Sequence, residues 1–501
     1  MRCIWPSTRL RTPAAAAPST WPSSRSSSTR ASDSGSSTRP ERCSIRTRWW
    51  RRRDAVTRPP SISPSSTGTG WHCSSSRSRR PDRGSGSRPV GVGVPVAGGT
   101  PASMRTDGMT ASSTRGVRGA TLGIMAAGAA LGSATIQANQ PLLPTMASSL
   151  EVQLRSVSFI PSTTQWGYAI GLALIVPLFD VVERRRLVVI MQSLAVLGLL
   201  AFGFAPSAGW LILLAPVLGV VACASQILTP YAGAISAPET RAHAVATVLG
   251  GVLAGVLIGR VLGGFLGALV SWRAVYLLLA LATLISLLLL SRVLPPSRDD
   301  TQQRYTQVLR SMVRSLIELA PLRRHSLIGL CVFGSFMTFW SAYSIQLEQH
   351  FDIGSTGAGL VAFVGLGGAL AAPRAGRLVD RGGFVVTSAV GSSAAILGWL
   401  IASFGATSVA MLAIGALVLD LGTGLAHGAN MSALQRRYPT MGGRINAVYM
   451  VMYFIGGATC AAIAPALELD RGWRWVAVFG AGVSLGGLAL GLLWRRSLGE
   501  G

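Results

Sequence analysis

Between residues 119 and 494 the chain is a succession of apolar stretches separated by short polar breaks. Each stretch has about 20 residues, the length at which a helix crosses the hydrocarbon core of a bilayer. Only helices and closed barrels satisfy their own backbone hydrogen bonds in that setting. The pattern predicts an all-α integral membrane protein with twelve transmembrane helices, at 119–142, 158–179, 187–205, 210–232, 245–269, 274–294, 326–347, 356–373, 384–404, 408–429, 445–466 and 474–494.

Polar residues between these stretches repeat in the second half of the chain. Three landmarks recur at offsets of 200 to 203 residues, namely Asp180 and Asp380, Arg241 and Arg444, and Trp272 and Trp473. Chance similarity between apolar helices would not keep polar loop residues in register. The repeat predicts two six-helix bundles, 119–294 and 326–494, joined by a cytoplasmic central loop at 295–325 and followed by a cytoplasmic tail at 495–501.

Basic charge is concentrated at the start of the chain. Of the 45 basic residues, all of them arginine, 21 lie in residues 1–118, and the formal net charge of the whole chain is +26. This segment is rich in Ser, Arg and Pro and has no apolar period, so we expect a disordered extension. Clustered arginine would suit a phosphate-binding arm. The absence of lysine favours instead a start codon placed too early, with Met104 or Met109 as alternative starts, and no nucleic-acid partner is expected.

Arginines are also divided unequally between alternate loops. With the region before residue 119 inside, the cytoplasmic loops and tail carry nineteen arginines and the outer loops carry four. An excess of positive residues marks the cytoplasmic side. We therefore expect a multi-pass protein of the bacterial plasma membrane with both termini in the cytoplasm. Residues 302–317 alternate apolar and Arg positions at helical spacing, which predicts a helix on the inner membrane surface.

Two loop motifs and one helix motif carry a family resemblance. Residues 376–383 read Gly-Arg-Leu-Val-Asp-Arg-Gly-Gly, and the corresponding earlier loop keeps Leu178, Asp180 and a run of arginines but lacks the glycines. The fifth span contains Gly-Arg-Val-Leu-Gly-Gly at 259–264. In these motifs the chain resembles the major facilitator superfamily, and within it the bacterial twelve-helix drug:proton antiporter-like branch. The signature of that branch has Pro where this chain has Arg260.

The resemblance implies a mechanism for switching between states. Members of the family alternate between inward-open and outward-open states as two bundles rock about a central site. Each loop Asp is then expected to stabilise one state against the start of a helix in the opposite bundle. This implies pairing of Asp180 with the helix start near Arg444, and of Asp380 with the start near Arg241. The neighbouring state-stabilising residues are Arg184, Arg185 and Arg381.

Glycine occupies every fourth position of the fifth span, at Gly251, Gly255, Gly259, Gly263 and Gly267. This spacing strips one ridge of the helix of side chains, so that another helix can approach closely. We expect the ridge to pack against the eighth span, which is itself rich in glycine.

Two charged residues lie near the middle of their spans, Arg260 in the first bundle and Asp420 in the second. A charge at that depth costs about 2.5–3.5 kcal/mol on insertion scales, so each needs a partner or water. We interpret the two as a coupling site in which Asp420 takes up a proton. Arg260 then holds the deprotonated carboxylate or binds an anionic group of the substrate. The alternative is local, with Arg260 on helix-end carbonyls and Asp420 bonded within its own helix.

Further polar and aromatic residues inside the spans are candidates to line a cavity, because buried amides and phenols need hydrogen-bond partners. Each of them would serve equally well in helix packing. His427, two turns from Asp420, could lie on a proton path or be structural. The candidates are Asn139, Gln140, Gln165, Tyr168, Gln226, Trp340, Tyr343, His427 and Asn430.

The sequence contains no phosphate-binding loop, no zinc-protease or serine-hydrolase motif and no metal-binding cysteine cluster, so neither an enzyme nor a cofactor or metal is expected. We expect a monomeric, proton-coupled secondary transporter that exports a small amphipathic compound. An importer or exporter of a sugar, an organic anion or another metabolite is the alternative. A non-transporting membrane sensor on the same fold is the alternative from another class.

Overall fold

The computed structural model describes residues 119–297 and 304–495, with the exception of the side chains of 366–376, Asp380, Gly382 and Thr440. The predicted N-terminal extension and all but the first residue of the tail lie outside this range. Within it the secondary structure is helical, which confirms the all-α prediction. The helices are α1 (Gly119–Gln137), α2 (Asn139–Ser149), α3 (Leu154–Val157), α4 (Ile160–Leu174), α5 (Arg184–Gly203), α6 (Ala208–Ala222), α7 (Ala224–Ile235), α8 (Arg241–Leu269), α9 (Trp272–Val293), α10 (Tyr305–Glu318), α11 (Ala320–Phe351), α12 (Ser355–Ala362), α13 (Leu366–Ser403), α14 (Val409–Arg437), α15 (Gly442–Arg471) and α16 (Trp473–Leu493).

Ten helical segments of the described chain are long and apolar enough to cross a membrane. The other two predicted spans are interrupted. The second consists of α4 and a 3-10 turn at Val176–Asp180, where Pro177 lacks a backbone N–H. The eighth consists of α12, a 3-10 turn at Phe363–Gly365 and the first part of α13, which bends at Gly383 with a φ of 79°.

Several helices extend beyond the predicted spans. Helix α11 begins at Ala320 instead of residue 326, and α14 continues to Arg437 instead of ending at 429. Apolar length measures the hydrocarbon core alone, whereas backbone hydrogen bonding continues into the polar interface. The central segment contains α10, which confirms the predicted helix there. Its position on a membrane surface stays a prediction.

The glycine ridge of α8 packs against α1 and α2, so the predicted contact of this ridge with the eighth span is wrong. A Cβ added at Gly255 would lie 2.1 Å from the carbonyl oxygen of Ala130, and one at Gly259 would lie 2.5 Å from that of Ala134. The backbones therefore touch where neither helix has a bulky side chain. The full set of contacts is Gly251 with Ala126, Gly255 with Ala130, Gly259 with Ala134, Gly263 with Ala138, and Gly267 with Leu142.

The eighth span contacts α8 one position further along. A Cβ added at Gly264 would lie 2.3 Å from the Cα of Gly359 in α12. Successive residues of a helix point about 100° apart, so Gly263 and Gly264 face different neighbours. The expected glycine-to-glycine contact thus exists, but a residue outside the ridge makes it.

The second half of the chain repeats this packing. A Cβ added at Gly456 of α15 would lie 2.1 Å from the carbonyl oxygen of Leu330 in α11. Gly456 and Leu330 follow Gly255 and Ala130 by 201 and 200 residues, the offset of the loop landmarks. Helices of the two halves meet where α4 faces α15, α8 faces α12 and α2 faces α11.

Candidate functional site

A cavity lies between the two halves of the chain, with an empty volume of about 1080 Å³ including its opening. It runs along α8 from Leu249 to Arg260 and along α14 from Asp420 to His427. It therefore extends from the middle of these helices toward the side that bears Arg241. The other residues of its wall are mostly apolar or aromatic: Ser133, Ile136, Gln137, Tyr168, Gln226, Val252, Leu253, Val256, Leu257, Phe333, Phe336, Gly365, Thr423, Gly424, Met450, Tyr453 and Phe454.

Arg260 lies at the inner end of this cavity and is almost completely buried, with 1% of its surface exposed. Its Nε donates a hydrogen bond to Oε1 of Gln140 at 2.8 Å. Its guanidinium carbon lies 3.9 Å from the ring centroid of Trp340 and 5.1 Å from that of Phe336. A desolvated cation over an aromatic face gains about 2 kcal/mol, so the two rings partly offset the cost of burying this charge. Nη2 has no hydrogen-bond partner among the residues described.

Asp420 lies at the same end of the cavity as Arg260 and is equally buried. Its Oδ1 accepts a hydrogen bond from the indole Nε1 of Trp340 at 3.0 Å. The ring of Trp340 therefore contacts the cation with its face and the carboxylate with its edge. The structure brings together the two charges that the sequence singled out.

Gly365 separates the two charged groups. A Cβ added at Gly365 would lie 3.2 Å from Oδ2 of Asp420 and 3.4 Å from Nη1 of Arg260. No direct ion pair joins Arg260 and Asp420 in the described coordinates, where the ion pairs are at other sites. Two complementary charges therefore lie close together at the end of the cavity, and Gly365 has no side chain to come between them.

Three of the nine cavity candidates from the sequence line the cavity: Tyr168, Gln226 and His427. The hydroxyl of Tyr168 lies 3.1 Å from Oγ of Ser225, and Nδ1 of His427 lies 3.1 Å from the hydroxyl of Tyr449. His427 thus connects the cavity wall to a tyrosine behind it.

The other six candidates lie behind the wall. Gln140 and Trp340 support Arg260 and Asp420 directly, as described above. The remaining four bond to neighbouring helices or to their own helix. These contacts are Asn139 Nδ2 to Thr164 Oγ1 at 3.1 Å, Gln165 Nε2 to Met337 Sδ at 3.5 Å, the Tyr343 hydroxyl to the Ala358 carbonyl oxygen at 3.3 Å, and Asn430 Nδ2 to the Ala426 carbonyl oxygen at 2.9 Å.

The described contacts of the predicted state-stabilising arginines Arg184, Arg185 and Arg241 are with the first half and with the start of the central loop. Arg184 lies 4.4 Å from the ring of Phe179 and donates from Nη1 to Oγ of Ser297 at 3.1 Å. Arg185 donates to the carbonyl oxygen of Ser291, and Arg241 donates from Nε to that of Gly233 at 2.8 Å.

Three further state-stabilising residues have described side chains. Asp180 ends the 3-10 turn at Val176–Asp180, Arg381 is exposed, and Arg444 is half-buried with no described partner for its Nε. The side chain of Asp380 lies outside the described residues. The two pairs predicted between the halves therefore stay a prediction.

Several polar contacts between the halves lie on the far side of Arg260 from the cavity. The hydroxyl of Ser344 donates to the carbonyl oxygen of Gln140 at 2.7 Å, and Thr145 donates to Oγ of Ser355 at 3.1 Å. An exposed ion pair joins Arg155 to Asp470. Together with the contact of Gly264 and Gly359, these interactions close the side of the bundle opposite the cavity.

Sequence reasoning missed three residues that complete the site. Gln137 accepts a hydrogen bond from Gln140 at 2.7 Å and lines the cavity. Phe336 contacts Arg260, and Gly365 leaves the gap between the charges. The sequence signal for Gln137 was its position one turn before Gln140, a second amide in the same apolar span. Nothing in the pattern distinguished Phe336 or Gly365 from their neighbours.

A helical membrane protein of two repeated halves, with a central cavity that ends at buried charges, has the architecture of a secondary transporter. The chain belongs to the Major Facilitator Superfamily, which it matches over residues 122–461 and, in a second overlapping match, over 325–499. An uncharacterized transporter YgaY of Escherichia coli O157:H7 is 35% identical over 358 residues, which cover 71% of this chain and 90% of that protein. The probable transporter SCO4007 of Streptomyces coelicolor is 31% identical over 367 residues, covering 71% and 84%.

Solved structures share the fold at low sequence identity. A mutant of the nucleoside transporter NupG superposes with a TM-score of 0.61 at 11% identity, covering 75% of this chain and 98% of that one. The human organic anion transporter MFSD10 superposes with a TM-score of 0.57 at 14% identity, covering 74% and 98%. The protein is therefore a multi-pass membrane transporter and not an enzyme.

Proposed function

We propose that the protein is a proton-coupled secondary transporter that exports a small amphipathic compound by alternating access. The observation that carries this proposal is the arrangement of Arg260 and Asp420 on either side of Gly365, at the inner end of a mostly apolar cavity. An apolar wall with a few converging polar groups is the usual form of a site for such compounds.

Protonation of Asp420 changes the charge at the inner end of the cavity. When ionised, its carboxylate faces the Arg260 guanidinium and the two charges compensate each other. When it is protonated, Arg260 stands alone, supported by the rings of Trp340 and Phe336. A compound whose polar group donates to the Asp420 carboxylate therefore competes with the proton. That competition is the requirement for exchanging one compound for one proton.

The arginine-rich loops orient this scheme in a bacterial plasma membrane. Their excess of arginine predicts that both termini lie in the cytoplasm, so that the cavity opens inward and the interactions of Ser344, Thr145 and Arg155 close the outer side. We assign the pairs of Asp180 with the region of Arg444, and of Asp380 with that of Arg241, to the outward-open state. One chain carries the complete site, and we propose a monomer.

A second substrate class is supported by Nη2 of Arg260, a buried donor without a described partner. A buried donor without an acceptor costs free energy, and a carboxylate or phosphate on the substrate would accept a hydrogen bond from it. Under this alternative the protein moves an organic anion together with a proton. MFSD10 is an organic anion transporter, but at 14% identity the likeness extends to the fold alone.

Proton movement in vesicles tests the proposal. Inside-out vesicles containing the full chain are acidified, and a panel of amphipathic compounds and organic anions is added while the internal pH is followed. We expect some compounds to cause proton efflux that Asp420→Asn and Arg260→Ala abolish. Asn keeps an acceptor oxygen for Trp340, so the first variant removes the titratable group and its charge but can retain that hydrogen bond. Glu318→Gln, at an exposed carboxylate paired with Arg314, is the matched control and keeps the wild-type rate.

Two results would count against this proposal. Unchanged proton movement in both Asp420→Asn and Arg260→Ala would remove these residues from the coupling site. Absence of compound-linked proton movement across the whole panel would favour a non-transporting sensor.

A further inference from the structure

A second carboxylate is buried far from the cavity, near the outer end of α15. Glu468 has 2% of its surface exposed, and neither Oε1 nor Oε2 has a hydrogen-bond partner among the residues the structure describes. An ionised carboxylate without partners is not tolerated in such a place, because burial removes its hydration and nothing replaces it. In this conformation Glu468 is therefore a neutral carboxylic acid.

Glu468 lies at the border between two faces of α15, one that meets the first half of the chain and one that carries Ala464 into the core of the second half. Two turns before it, Ala461 belongs to the apolar core made mostly by the first half. One turn earlier, the carbonyl oxygen of Ala458 accepts a hydrogen bond from Ser162 of α4 at 2.9 Å. Residues at these spacings share one face of a helix. Two residues after Glu468, Asp470 pairs with Arg155 of α3 across the halves.

Charged neighbours do not compensate Glu468. Helix α4 carries no charged residue, and the charged residues of α14 are Asp420 at mid-span and Arg436 and Arg437 at the opposite, inner end. The charged groups near the outer ends of α3, α11, α15 and α16 are exposed or half-buried, so water screens them. These groups are Arg155, Glu348, His350, Asp470, Arg471 and Arg474.

We propose that Glu468 is a proton-binding site separate from Asp420, and that it must be protonated before the outer side of the transporter can close. When the halves part at the outer end, water reaches the side chain, and the acid releases its proton to that water as a carboxylate. When the halves come together, a proton from the outer water adds to the carboxylate. The closed state thus holds one proton more than the open state. The inference rests on the alternating access of the proposed function, but not on export or on the role of Asp420.

The sign of the pH dependence follows from this difference of one proton. Closing of the outer side is favoured at low pH and is lost as pH rises through the ionisation of Glu468 in the open state. Above that point the ratio of closed to open molecules falls about tenfold for each unit of pH.

Distance measurements between the halves test the proposal without a substrate. Spin labels on noncanonical amino acids are placed at Ser148 of α2 and Thr356 of α12, both exposed at the outer end. The full chain in lipid nanodiscs is titrated with pH, and the short and long label distances are counted by pulsed electron spin resonance. We expect the short distance to prevail at low pH and to give way to the long one as pH rises. Glu468→Gln should hold the short distance at every pH.

A control variant separates this site from other carboxylates. Glu348→Gln removes another carboxylate at the same end and should keep the wild-type titration. The distances are measured without any compound, so a failure of the flux test at Asp420 would contradict the proposed function and leave this test intact. If Glu468→Gln does not fold, Glu468→Met offers a second neutral side chain of similar length. The proposal is overturned if the wild-type distance distribution does not change with pH. It is also overturned if the pH-dependent change of distances persists in the neutral Glu468 variants.

Discussion

At the scale of single residues, two mid-span charges were predictable because a membrane makes every charge expensive and therefore conspicuous. Arg260 and Asp420 were identified in this way, and the structure places them on either side of Gly365. Their supports were harder to predict. Gln140 and Trp340 were proposed only as members of a longer set, since a sequence shows that a polar group needs a partner but not which one it finds.

The support of Arg260 by Gln140 predicts a measurable loss of stability. Gln140→Leu removes the acceptor of a buried, charged donor, which we expect to lower the free energy of unfolding by about 1–3 kcal/mol. In an Arg260→Met background the same change should cost little, because no donor is left unpaired. Denaturant unfolding of the four proteins in detergent measures both values. Equal costs in the two backgrounds would show that Gln140 acts through packing alone.

The gap at Gly365 predicts a loss of function with the fold retained. Gly365→Ala adds a methyl group 3.2 Å from Asp420 Oδ2 and 3.4 Å from Arg260 Nη1. The added group fills the space where a ligand would sit, so we expect at least tenfold lower affinity for a transported compound. Gly354→Ala, whose added Cβ would lie 3.9 Å from the nearest side chain, serves as the control. Unchanged binding in Gly365→Ala, measured by tryptophan fluorescence, would place the ligand elsewhere.

At the scale of helices, the periodicity of glycine predicted a close helix contact on α8 but not which helix makes it. A repeat of four residues defines a bare stripe on α8, but the stripe fits any close neighbour. Its actual partner, α1, has alanine at the same spacing, from Ala126 to Ala138. That signal was present in the sequence but weak, because alanine is common in every apolar helix. The interruption of the second and eighth spans was likewise hidden, since apolar length does not register 3-10 turns.

The glycine contacts of α8 predict that two alanine substitutions in this helix differ in their effect on stability. Gly255→Ala would press a methyl group against the Ala130 carbonyl oxygen, and overpacking of this kind costs about 1–3 kcal/mol. Gly250→Ala meets nothing within 4 Å and should be neutral or slightly stabilising. Gly456→Ala in the second half should cost as much as Gly255→Ala, because the repeat preserves the contact. Thermal unfolding in detergent ranks the three variants, and equal melting temperatures for Gly250→Ala and Gly255→Ala would refute the close approach.

At the scale of the whole molecule, the twelve-span count and the internal repeat followed from length, hydropathy and loop residues. Which side of the bundle is closed did not follow, because both states of an alternating transporter share one sequence. The closed side, opposite the cavity, depends on contacts between the halves, among them Gly264 against Gly359.

That contact predicts a shift of state rather than a loss of fold. Gly264→Ala adds a methyl group 2.3 Å from the Cα of Gly359, between the halves instead of within one. We expect it to disfavour the closed state by about 1–3 kcal/mol, a shift of roughly 5- to 150-fold. The label pair at Ser148 and Thr356 reports this shift as a larger share of long distances. Gly250→Ala should leave the shares unchanged, and a Gly264→Ala distribution identical to wild type would contradict this view of the outer interface.

The central claim is that a proton and the exported compound compete at Asp420. Proton exchange during binding, measured with a pH-sensitive dye in weakly buffered detergent solution, tests this claim most directly. We predict that binding of a transported compound to the wild-type protein releases protons, and that binding to Asp420→Asn releases none. Proton uptake on binding would contradict export by exchange and support cotransport of an organic anion. Binding with no proton exchange in the wild type would contradict coupling at Asp420 altogether.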